Sequence, residues 1–464
     1  MNIFIERFML GVGIFFIIYM LVYSSYLFLS VVIGARHLYR KNRLDKLHNE
    51  LKHDFYVPIS ILVPAYNEEV TIVSNVKSLL GLDYKLYEII VIDDGSTDST
   101  AQEMIEAFNL KPVKRPIHIQ LKCKPIKEIY ESNINKVKIT MIMKENGGKG
   151  DALNMGINAS NYPYYVGIDA DSTLQADSLE KIVQPVLEDD SIVAVGGLVR
   201  VAQCVNIEKG KVKDYHLPWN PILSVQVVEY DRSYLASKIF LNQFNGNLII
   251  SGAFGLFKKN IVIASGGYYT KTLGEDMELV LRLHTYCRNN DKKYRMHYEP
   301  NAICWSQAPS TLKDLMTQRR RWYIGLFQSM IKYRNIFLNL RFGTVSLISY
   351  IYYLIYELLS PVVEIFGIFT IILAFYFGIL NIPFMLQFLL IYGLFGAFLT
   401  MTAFFQRIYT QNLKINFTDI IIAVFMCLLE NIFFRYILSF VRITALFGYK
   451  GEKSKWGTIK REKI

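Results

Sequence analysis

The chain has 464 residues, of which 52% are hydrophobic, and its formal net charge at pH 7 is +11. The mean hydropathy of +0.23 is high for a purely soluble protein, so the composition predicts membrane segments beside one large folded domain. None of the five cysteines forms a Cys-x-x-Cys pair or has a histidine at zinc-site spacing, which disfavours a zinc centre and indicates unpaired thiols in a reducing compartment. We attribute the positive charge mainly to membrane topology and expect no nucleic-acid partner.

The first predicted element is a membrane helix. Residues 8–35 carry no charge over 28 positions, and about 20 apolar residues are enough to cross a bilayer. A secretory signal is disfavoured, because its apolar core is shorter and no clear small-residue cleavage site follows. The basic residues that begin at Arg36 place the next segment in the cytoplasm by the positive-inside rule. The sequence therefore predicts a transmembrane helix over residues 1–35 and a basic cytoplasmic linker over 36–56.

From residue 57 onward, short β-branched runs alternate with helix-like stretches. Predicted strands cover residues 59–64, 88–93, 139–143, 164–168 and 192–195. Residues 111–138 form a basic insertion without a clear period, to which we assign no chemistry. Alternating strands and helices predict an α/β sheet, in which ligands bind beyond the carboxyl ends of the strands.

Acidic side chains cluster where two predicted strands end and where a later helix begins. The motifs are Asp93-Asp94-Gly95-Ser96, Asp169-Ala170-Asp171 and Gly274-Glu275-Asp276. Mg²⁺ commonly bridges one or two carboxylates to substrate phosphates, so Asp169 and Asp171 are candidate metal ligands. Asp276 is a candidate general base. Each motif alone also fits a structural role, since Asp-Gly-Ser is a common turn and acids at a helix start complement its dipole.

Two basic features accompany these acids. Lys149 lies in a glycine-rich loop, where it could contact a phosphate or only solvent. The second feature is the pentad Gln318-Arg319-Arg320-Arg321-Trp322. Arginines can stabilise the charge on a departing diphosphate, and an indole suits the apolar face of a sugar ring.

A second apolar region follows the predicted domain. Residues 365–406 carry no charge over 42 positions, and a break at 381–383 predicts two spans joined by a tight external turn. Glu357 and Glu364, near the start of the first span, are seven positions apart and predict a polar cavity or a protein partner inside the membrane. The last apolar stretch, residues 417–447, either crosses twice or lies partly in the interface, because the basic tail beyond it is expected in the cytoplasm.

The four motifs in this order resemble the family 2 glycosyltransferases, and within them the membrane-bound processive synthases of cellulose, hyaluronan and poly-N-acetylglucosamine. The resemblance covers residues 57–322 closely and the membrane half more loosely. It implies an α/β fold in which a cytoplasmic, GT-A-like nucleotide-sugar-binding domain is fused to an α-helical transmembrane region. We expect the glycosyltransferase domain over 57–325, interfacial and transmembrane helices over 326–447, and a basic C-terminal tail over 448–464.

The resemblance also implies a role for each motif residue. Asp276 would be the catalytic base with Glu275 beside it, and Asp169 and Asp171 would hold Mg²⁺ or Mn²⁺. The residues expected at the nucleotide and its diphosphate are Ala65, Asp93, Asp94, Lys149, Asp169, Asp171, Gln318 and Arg321. The residues expected at the acceptor sugar are Trp322, Ser251 and Gly252.

The tail has a resemblance of its own. Trp456, Thr458, Lys460 and Arg461 resemble the C-terminal gating loop of hyaluronan synthases, which would close over the nucleotide and exclude water. The alternative is a basic tail that lies on the membrane surface.

We therefore predict a processive, inverting glycosyltransferase that polymerises a β-linked exopolysaccharide from a UDP-sugar and exports it across a bacterial-type plasma membrane. It would be a multi-pass protein with a cytoplasmic catalytic domain. The favoured donor is UDP-glucose, giving a cellulose-like or mixed-linkage (1,3;1,4) β-glucan; the alternative is poly-N-acetylglucosamine or hyaluronan synthesis from UDP-N-acetylglucosamine. Two further alternatives are a non-processive polyprenyl-phosphate glycosyltransferase and an inactive nucleotide-binding export scaffold.

The expected partners follow from this prediction. They are the UDP-sugar donor, the nascent polysaccharide and the lipid bilayer. An accessory membrane subunit or self-association is also expected, because the membrane part is short for a complete channel.

Overall fold

The computed structural model describes residues 3–48, 56–208, 210–411 and 413–447. The strands are β1 (Ile59–Ala65), β2 (Tyr87–Asp93), β3 (Lys111–Pro112), β4 (Ile126–Ile134), β5 (Val137–Lys144), β6 (Tyr164–Ile168), β7 (Ser172–Leu174), β8 (Ile192–Val201), β9 (Val205–Glu208), β10 (Lys211–Tyr215), β11 (Phe254–Lys258) and β12 (Arg295–Ser306). The helices are α1 (Ile3–His48), α2 (Ile72–Leu80), α3 (Thr100–Phe108), α4 (Lys149–Ala159), α5 (Ser178–Glu188), α6 (Pro221–Arg232), α7 (Lys238–Asn242), α8 (Lys259–Ala264), α9 (Glu275–Asn289), α10 (Leu312–Lys332), α11 (Ser360–Tyr376), α12 (Ile382–Thr410), α13 (Phe417–Leu429) and α14 (Arg435–Leu446). Stretches of π-helix cover Ser233–Ser237, Val345–Tyr350, Tyr353–Leu358 and Glu430–Phe434.

A mixed sheet forms the centre of the domain. In the described part of the chain it has ten strands in the order β3-β4-β5-β2-β1-β6-β11-β8-β12-β7. Strand β1 pairs in parallel with β2 and β6, and β2 pairs in parallel with β5, whereas β11 is antiparallel to both of its neighbours. Because β1, β2 and β6 are parallel, their carboxyl ends at Ala65, Asp93 and Ile168 lie at one edge of the sheet. The predicted α/β fold is confirmed.

Apolar side chains cover both faces of this sheet. Ile61 and Val91 belong to the cluster on one face, and their neighbours Leu62 and Ile92 belong to the cluster on the other. Successive residues of a strand point to opposite faces, so continuous runs of Ile, Leu and Val indicate a strand that is covered by helices on both sides. Burial on both faces fixes the strand ends that carry the acidic motifs.

The basic insertion at residues 111–138 extends the sheet at one edge. Strand β4 pairs antiparallel with β5, and the short β3 pairs with β4. Most side chains of β4 are at least partly exposed, which explains why its sequence has no clear period.

Helix α1 extends beyond the predicted membrane span. It continues through the residues predicted as a linker as far as His48, so that part of 36–56 is helical. The Lys41 ammonium pairs with the carboxylate of Glu299 in β12. Gly34 approaches the π-helical stretch after α6 so closely that a Cβ there would lie 2.3 Å from the carbonyl oxygen of Leu235. These contacts dock α1 on the domain.

Several helices are long and apolar enough to cross a membrane. In the described part of the chain they are Arg7–Lys41, Ile382–Thr410 and Phe417–Leu446. The pair Val345–Leu358 and Ser360–Tyr376, bent by 46°, would count as a fourth. The predicted break lies between α11 and α12, where the Asn381 side chain accepts a hydrogen bond from the Phe384 amide at 3.1 Å and caps α12.

The last apolar stretch runs without a break through α13, a π-helical turn and α14. At its start, Asp419 accepts a hydrogen bond from the Leu217 amide at 2.9 Å and lies 3.3 Å from His216 Nδ1. At its end, Ala445 packs in one cluster with Tyr323 and Ile324 of α10. Both ends of this helix therefore contact the domain.

Candidate active site

A cavity of about 510 Å³ lies at the edge where the parallel strands end. The predicted site residues in its wall are Lys149, Asp169, Asp171, Ser251, Gly252, Glu275, Asp276, Gln318, Arg321 and Trp322. They come from the loop after β6, the starts of α4 and α9, the loop before β11, and α10. The fold thus brings together side chains that are far apart in the sequence.

Lys149 connects two of the acidic motifs. It is the first residue of α4 and follows Gly148, whose φ of 88° is a left-handed conformation that favours glycine. Its Nζ lies 2.6 Å from Asp169 Oδ1 and 3.4 Å from Glu275 Oε1. Burial lowers the pKa of Lys149, but the adjacent Asp169 and Glu275 outweigh that effect and the pKa is raised. Lys149 is therefore a fixed cation at the centre of the carboxylates.

Asp276 has the environment of a general base. Its Oδ1 accepts a hydrogen bond from the Met277 amide at 2.7 Å, and its Oδ2 accepts one from the Gly252 amide at 3.4 Å. Burial, and then the charge of Glu275, raise the pKa of Asp276, while Lys149 opposes this shift. A carboxylate with a raised pKa is a stronger proton acceptor, as general-base catalysis near neutral pH requires.

Gly252 permits this arrangement because it has no side chain. A Cβ at this position would lie 3.0 Å from Lys149 Nζ and 3.6 Å from the Asp276 Cβ. The contact at 3.0 Å is tighter than most Cβ contacts, so a side chain here would displace the Lys149 ammonium, whereas the distance to Asp276 is an ordinary one.

Helix α10 presents the cationic motif to the cavity. Gln318, Arg321 and Trp322 are three and four positions apart and share one helix face. Within the described residues, the buried Oε1 of Gln318 has no hydrogen-bond partner, so it is available to a ligand. Arg319 has a different contact, a bidentate pair with Glu229 at 3.0 and 2.7 Å, which ties α10 to α6.

Trp322 forms an aromatic platform in the cavity wall. The residue is 41% exposed, which is unusual for a tryptophan between two packed elements. The Arg319 guanidinium lies 4.6 Å from its ring centroid, and the ring of Tyr230 lies 6.4 Å away at an angle of 31°. The partly exposed indole is thus accessible in the cavity wall to a planar or ring-shaped ligand.

The carboxylates after β6 suit a divalent metal when a phosphate completes the site. Among the described residues no group of three or more His, Cys, Asp or Glu side chains could hold a metal by itself. Asp169 and Asp171 supply two oxygen donors in the cavity wall. Mg²⁺ is commonly bound by one or two carboxylates together with substrate phosphates, so this donor set fits a metal that is held jointly with a diphosphate.

Three predicted nucleotide contacts, Ala65, Asp93 and Asp94, lie outside the lining of the cavity. Asp94 is fully buried, 2.5 Å from Lys144 Nζ, and accepts a hydrogen bond from the Gly148 amide at 2.7 Å. Burial raises the pKa of Asp93 and of Asp94, against the effect of their hydrogen bonds. The nucleotide contact expected of Asp94 stays a prediction; in this structure its carboxylate accepts hydrogen bonds from the amides of the loop that presents Lys149.

One wall of the cavity, formed by α6, α7 and the π-helical stretch between them, was not predicted from the sequence. Glu229, Tyr230, Arg232, Tyr234 and Lys238 all line the cavity. This segment has no motif spacing. The feature that could have identified it is the presence of charged residues in helices that are buried on most sides. Charged side chains in such a place need a polar partner or a polar cavity. The predicted gating residues Trp456, Thr458, Lys460 and Arg461 lie outside the described residues.

The fold is that of a nucleotide-sugar glycosyltransferase. The chain is similar to the solved structure of mannosyltransferase PcManGT from Pyrobaculum calidifontis in complex with GDP-Man and Mn²⁺, with a TM-score of 0.52 and 17% identity. The likeness covers 88% of this chain and 99% of that chain, and it shows the fold alone. Sequence profiles of the Glycosyl transferase family group 2 and of Glycosyl transferase family 2 match residues 166–441 and 60–122. The chain therefore belongs to the family 2 glycosyltransferases.

Curated relatives narrow the similarity within that family. A poly-beta-1,6-N-acetyl-D-glucosamine synthase of Staphylococcus aureus (strain COL) is 28% identical over 319 residues, which are 68% of this chain and 66% of the relative. The enzyme of the same name from Staphylococcus epidermidis is 30% identical over 359 residues, 76% of this chain and 74% of the relative. The match thus spans about two thirds of the length of the S. aureus relatives. The expected glucan gains no support from these relatives, and the poly-N-acetylglucosamine alternative fits them better.

Proposed function

We propose that this protein is a processive, inverting glycosyltransferase that polymerises N-acetylglucosamine from UDP-N-acetylglucosamine into a β-1,6-linked polysaccharide. The similarity to poly-β-1,6-N-acetylglucosamine synthases supports the choice of sugar. The observation that carries the processive part is one continuous cavity, which reaches from Asp169 and Asp276 to Glu364 of the crossing helix α11 and to Arg435 of the last helix. A transferase that adds a single sugar to a soluble acceptor has no need of such a path.

The geometry supports a single displacement. Asp276 takes the proton of the attacking acceptor hydroxyl, the new glycosidic bond forms at the anomeric carbon, and UDP leaves from the opposite side. Attack opposite the leaving group inverts the centre, so an α-linked donor gives a β-linked product. Lys149, Gln318 and Arg321 bind the diphosphate and stabilise its growing charge. Asp169 and Asp171 would hold Mg²⁺ or Mn²⁺, which supplies further positive charge to the diphosphate.

The acceptor end of the polymer lies against Trp322 in this proposal. The exposed indole face and the neighbouring Tyr230 suit the apolar face of a pyranose ring. Ser251 and Gly252 form the adjacent wall, and the Gly252 amide points at the carboxylate of Asp276. A sugar on this platform would present its hydroxyl to the base.

Charged pairs line the part of the cavity that leads into the membrane. Arg232 forms a bidentate pair with Glu430 at 2.8 and 2.9 Å, and Arg435 pairs with Glu364 at 2.7 Å. Glu357 lies in the same wall. Ionisable groups next to lipid are costly unless they pair or face a polar cavity, so these pairs, where the cavity approaches the membrane, support an exit path for a hydrophilic polymer.

The contacts of the last helix support a topology. Since both ends of Phe417–Leu446 contact the domain, we infer that this helix lies along the membrane surface, while α1, α11 and α12 cross. The tail at 448–464 then stays on the same side as the domain, in the cytoplasm, as the positive-inside rule requires. We keep 57–325 as the catalytic part and 326–447 as the membrane part, and we place the protein in a plasma membrane. An accessory subunit or a second copy of the chain would cover the exposed faces of the membrane helices.

The donor assignment is tested with purified protein in lipid vesicles. Radiolabelled UDP-N-acetylglucosamine, UDP-glucose and UDP-glucuronic acid are supplied singly and in pairs, and the product is digested with linkage-specific hydrolases. We expect a high-molecular-weight β-1,6-linked product from UDP-N-acetylglucosamine alone, and none from the Asp276→Asn variant. A polymer from UDP-glucose alone would refute the sugar assignment, and a product that extracts into organic solvent without polymer would refute the polymerase.

A further inference from the structure

Lys238 has no role in the mechanism above, yet it lies in the cavity wall. It is the first residue of α7 and only 9% exposed. Among the described residues, its ammonium has no carboxylate or carbonyl within hydrogen-bond distance. Its Nζ lies 4.1 Å from the ring centroid of Tyr234 and 6.0 Å from that of Tyr298. The three ammonium hydrogens are therefore available to whatever occupies the cavity.

A buried cation without an anionic partner needs another source of stabilisation. An isolated buried charge is costly, and contacts with two tyrosine faces offset only part of that cost. Burial lowers the pKa of Lys238 to about 8, although the charge of Asp276 opposes the shift. The lysine is thus held in an unfavourable state that a hydrogen-bond acceptor in the cavity would relieve.

The position of Lys238 indicates which ligand would supply that acceptor. Tyr234, whose ring faces the ammonium, lies beside the Ser251 side chain and within the electrostatic range of Asp276. Lys238 is therefore on the side of the base and the acceptor. The diphosphate site proposed above is formed by other cations, Lys149 and Arg321.

We propose that Lys238 is a binding contact for the acceptor sugar: its ammonium donates a hydrogen bond to an uncharged oxygen of that sugar, a hydroxyl or an acetamido carbonyl. Trp322 supports the ring of the sugar, and Asp276 receives the proton of the attacking hydroxyl. Lys238 keeps the sugar from rotating on the indole, so that the attacking hydroxyl stays directed at Asp276. This inference rests on the proposed function, because it requires a saccharide acceptor.

The test compares Lys238→Met and Lys238→Arg with the wild type. UDP release is measured against the concentration of a short β-1,6-linked N-acetylglucosamine oligosaccharide, and separately against the donor. A hydrogen bond to a charged group accounts for about a tenfold to hundredfold change in affinity, so we expect the acceptor KM of Lys238→Met to rise by that factor while the donor KM stays constant. Lys238→Arg should recover part of the loss. Lys259→Met is the control, because Lys259 is half-buried and donates to the Ser160 carbonyl away from the cavity.

A pH profile separates this role from a structural one. The groups that face Lys238 are the rings of Tyr234 and Tyr298 and, from α9, Asp276. Because the ammonium loses its proton as the pH rises through about 8, the acceptor KM of the wild type should increase between pH 7 and 9. In Lys238→Arg it should stay level, since arginine remains charged.

Each outcome decides a different claim. An unchanged acceptor KM in Lys238→Met, or a change in the donor KM alone, refutes the contact. A wild type that transfers another sugar refutes the proposed donor but leaves the contact testable, because the same acceptor titration applies with that donor. A lower thermal stability of Lys238→Met together with an unchanged acceptor KM shows that the lysine is only structural and also refutes the contact.

Discussion

Gly274 and Gly325 are in direct backbone contact. A Cβ on Gly325 would lie 2.7 Å from the Gly274 Cα, and a Cβ on Gly274 would lie 2.9 Å from the Gly325 Cα. Gly274 precedes α9, which begins with the proposed catalytic carboxylates, and Gly325 follows the cationic motif on α10. The distance between Asp276 and Trp322 therefore depends on two residues without side chains.

Gly325→Ala should lower activity without unfolding the protein. The new methyl group meets backbone atoms, which cannot rotate away, so α10 must shift relative to α9. A displacement of about 1 Å at a reacting centre can cost about a hundredfold in rate, and we expect a loss of roughly ten- to hundredfold in UDP release. The control is Gly81→Ala, since a Cβ at Gly81 would make only an ordinary contact at 3.4 Å. Equal activity of the two variants would show that the contact does not position the site.

The raised pKa of Asp276 predicts a pH dependence of activity. Asp276 must be deprotonated to act as a base, so the rate should fall as the pH drops through a pKa that lies above the ordinary 3.8. Glu275→Gln removes the neighbouring negative charge that contributes to the shift, and the acid limb of the pH–rate profile should therefore move to lower pH. The measurement is UDP release at saturating donor between pH 4 and 8. An acid limb that stays in place in Glu275→Gln would contradict the coupling of the two carboxylates.

The raised pKa of Asp276 predicts that stability, unlike activity, is favoured at low pH. Because the folded-state pKa of Asp276 is raised, the folded protein binds this proton more tightly than the unfolded chain does. The contribution favours folding at low pH and is lost as the pH rises through the folded pKa. At neutral pH, Asp276→Asn removes the cost of a buried charge, so its Tm should exceed that of the wild type while transfer falls by about a hundredfold or more. A lower Tm for this variant at pH 7 would contradict the argument.

Much of the site is predictable from the sequence because its residues follow hydrophobic strands. The pattern of β6 places Asp169 and Asp171 at the sheet edge, and the spacing of Gln318, Arg321 and Trp322 places them on one helix face. The buried ion pair of Asp94 was not predictable in this way. Its partner Lys144 is 50 positions away, and only the folded chain reveals that the pair is buried.

Tertiary contacts also explain why three other features were not predicted from the sequence. Residues 417–447 are long and apolar enough to cross lipid, and the proposal that they lie along the membrane surface rests on the contacts of Asp419 and Ala445 with the domain. Lys238 belongs to no motif, because its significance comes from the rings and the cavity around it. Exposure of β4 removes the alternation that would have identified a strand.

Asp94→Asn should destabilise the protein and weaken donor binding. Lys144 would keep one carboxylate, Asp151 at 2.7 Å, and the Glu145 carbonyl at 2.6 Å, and a buried ion pair that loses one partner costs about 3 kcal/mol or more. The loop that presents Lys149 would lose the anionic acceptor of its Gly148 amide, so the donor KM should rise as well. Thermal unfolding and a donor titration measure the two effects.

The control for this variant is an ion pair on the surface. Lys181 and Asp177 form a partly exposed (i, i+4) pair at 2.6 Å, and helical pairs of this kind contribute only about 0.3–0.5 kcal/mol. Asp177→Asn should therefore change neither Tm nor donor KM measurably. If Asp94→Asn resembles Asp177→Asn in stability but loses donor binding, Asp94 is a nucleotide contact, as the family resemblance implies, and not an anchor of the loop.

The pair of Arg232 and Glu430 should influence polymer length more than catalysis. It lies in the cavity between the aromatic platform and the membrane helices, where it would meet the product and not the donor. Arg232→Gln or Glu430→Gln leaves one buried charge without its partner, which lowers stability by about 3–5 kcal/mol. The side chains around the unpaired charge must rearrange, and this distorts the exit path. We expect shorter polymer by gel filtration, while the initial rate of UDP release with a short acceptor stays within about twofold.

Two further variants separate the exit path from general damage to the fold. The exchanged pair Arg232→Glu with Glu430→Arg restores opposite charges and should recover polymer length at least in part. Glu208→Gln removes a carboxylate from an exposed pair with Lys213 and should leave length unchanged. If length and the rate of UDP release fall together in every variant of the pair, the residues support the catalytic domain through α6. In that case the product leaves the cavity by another route.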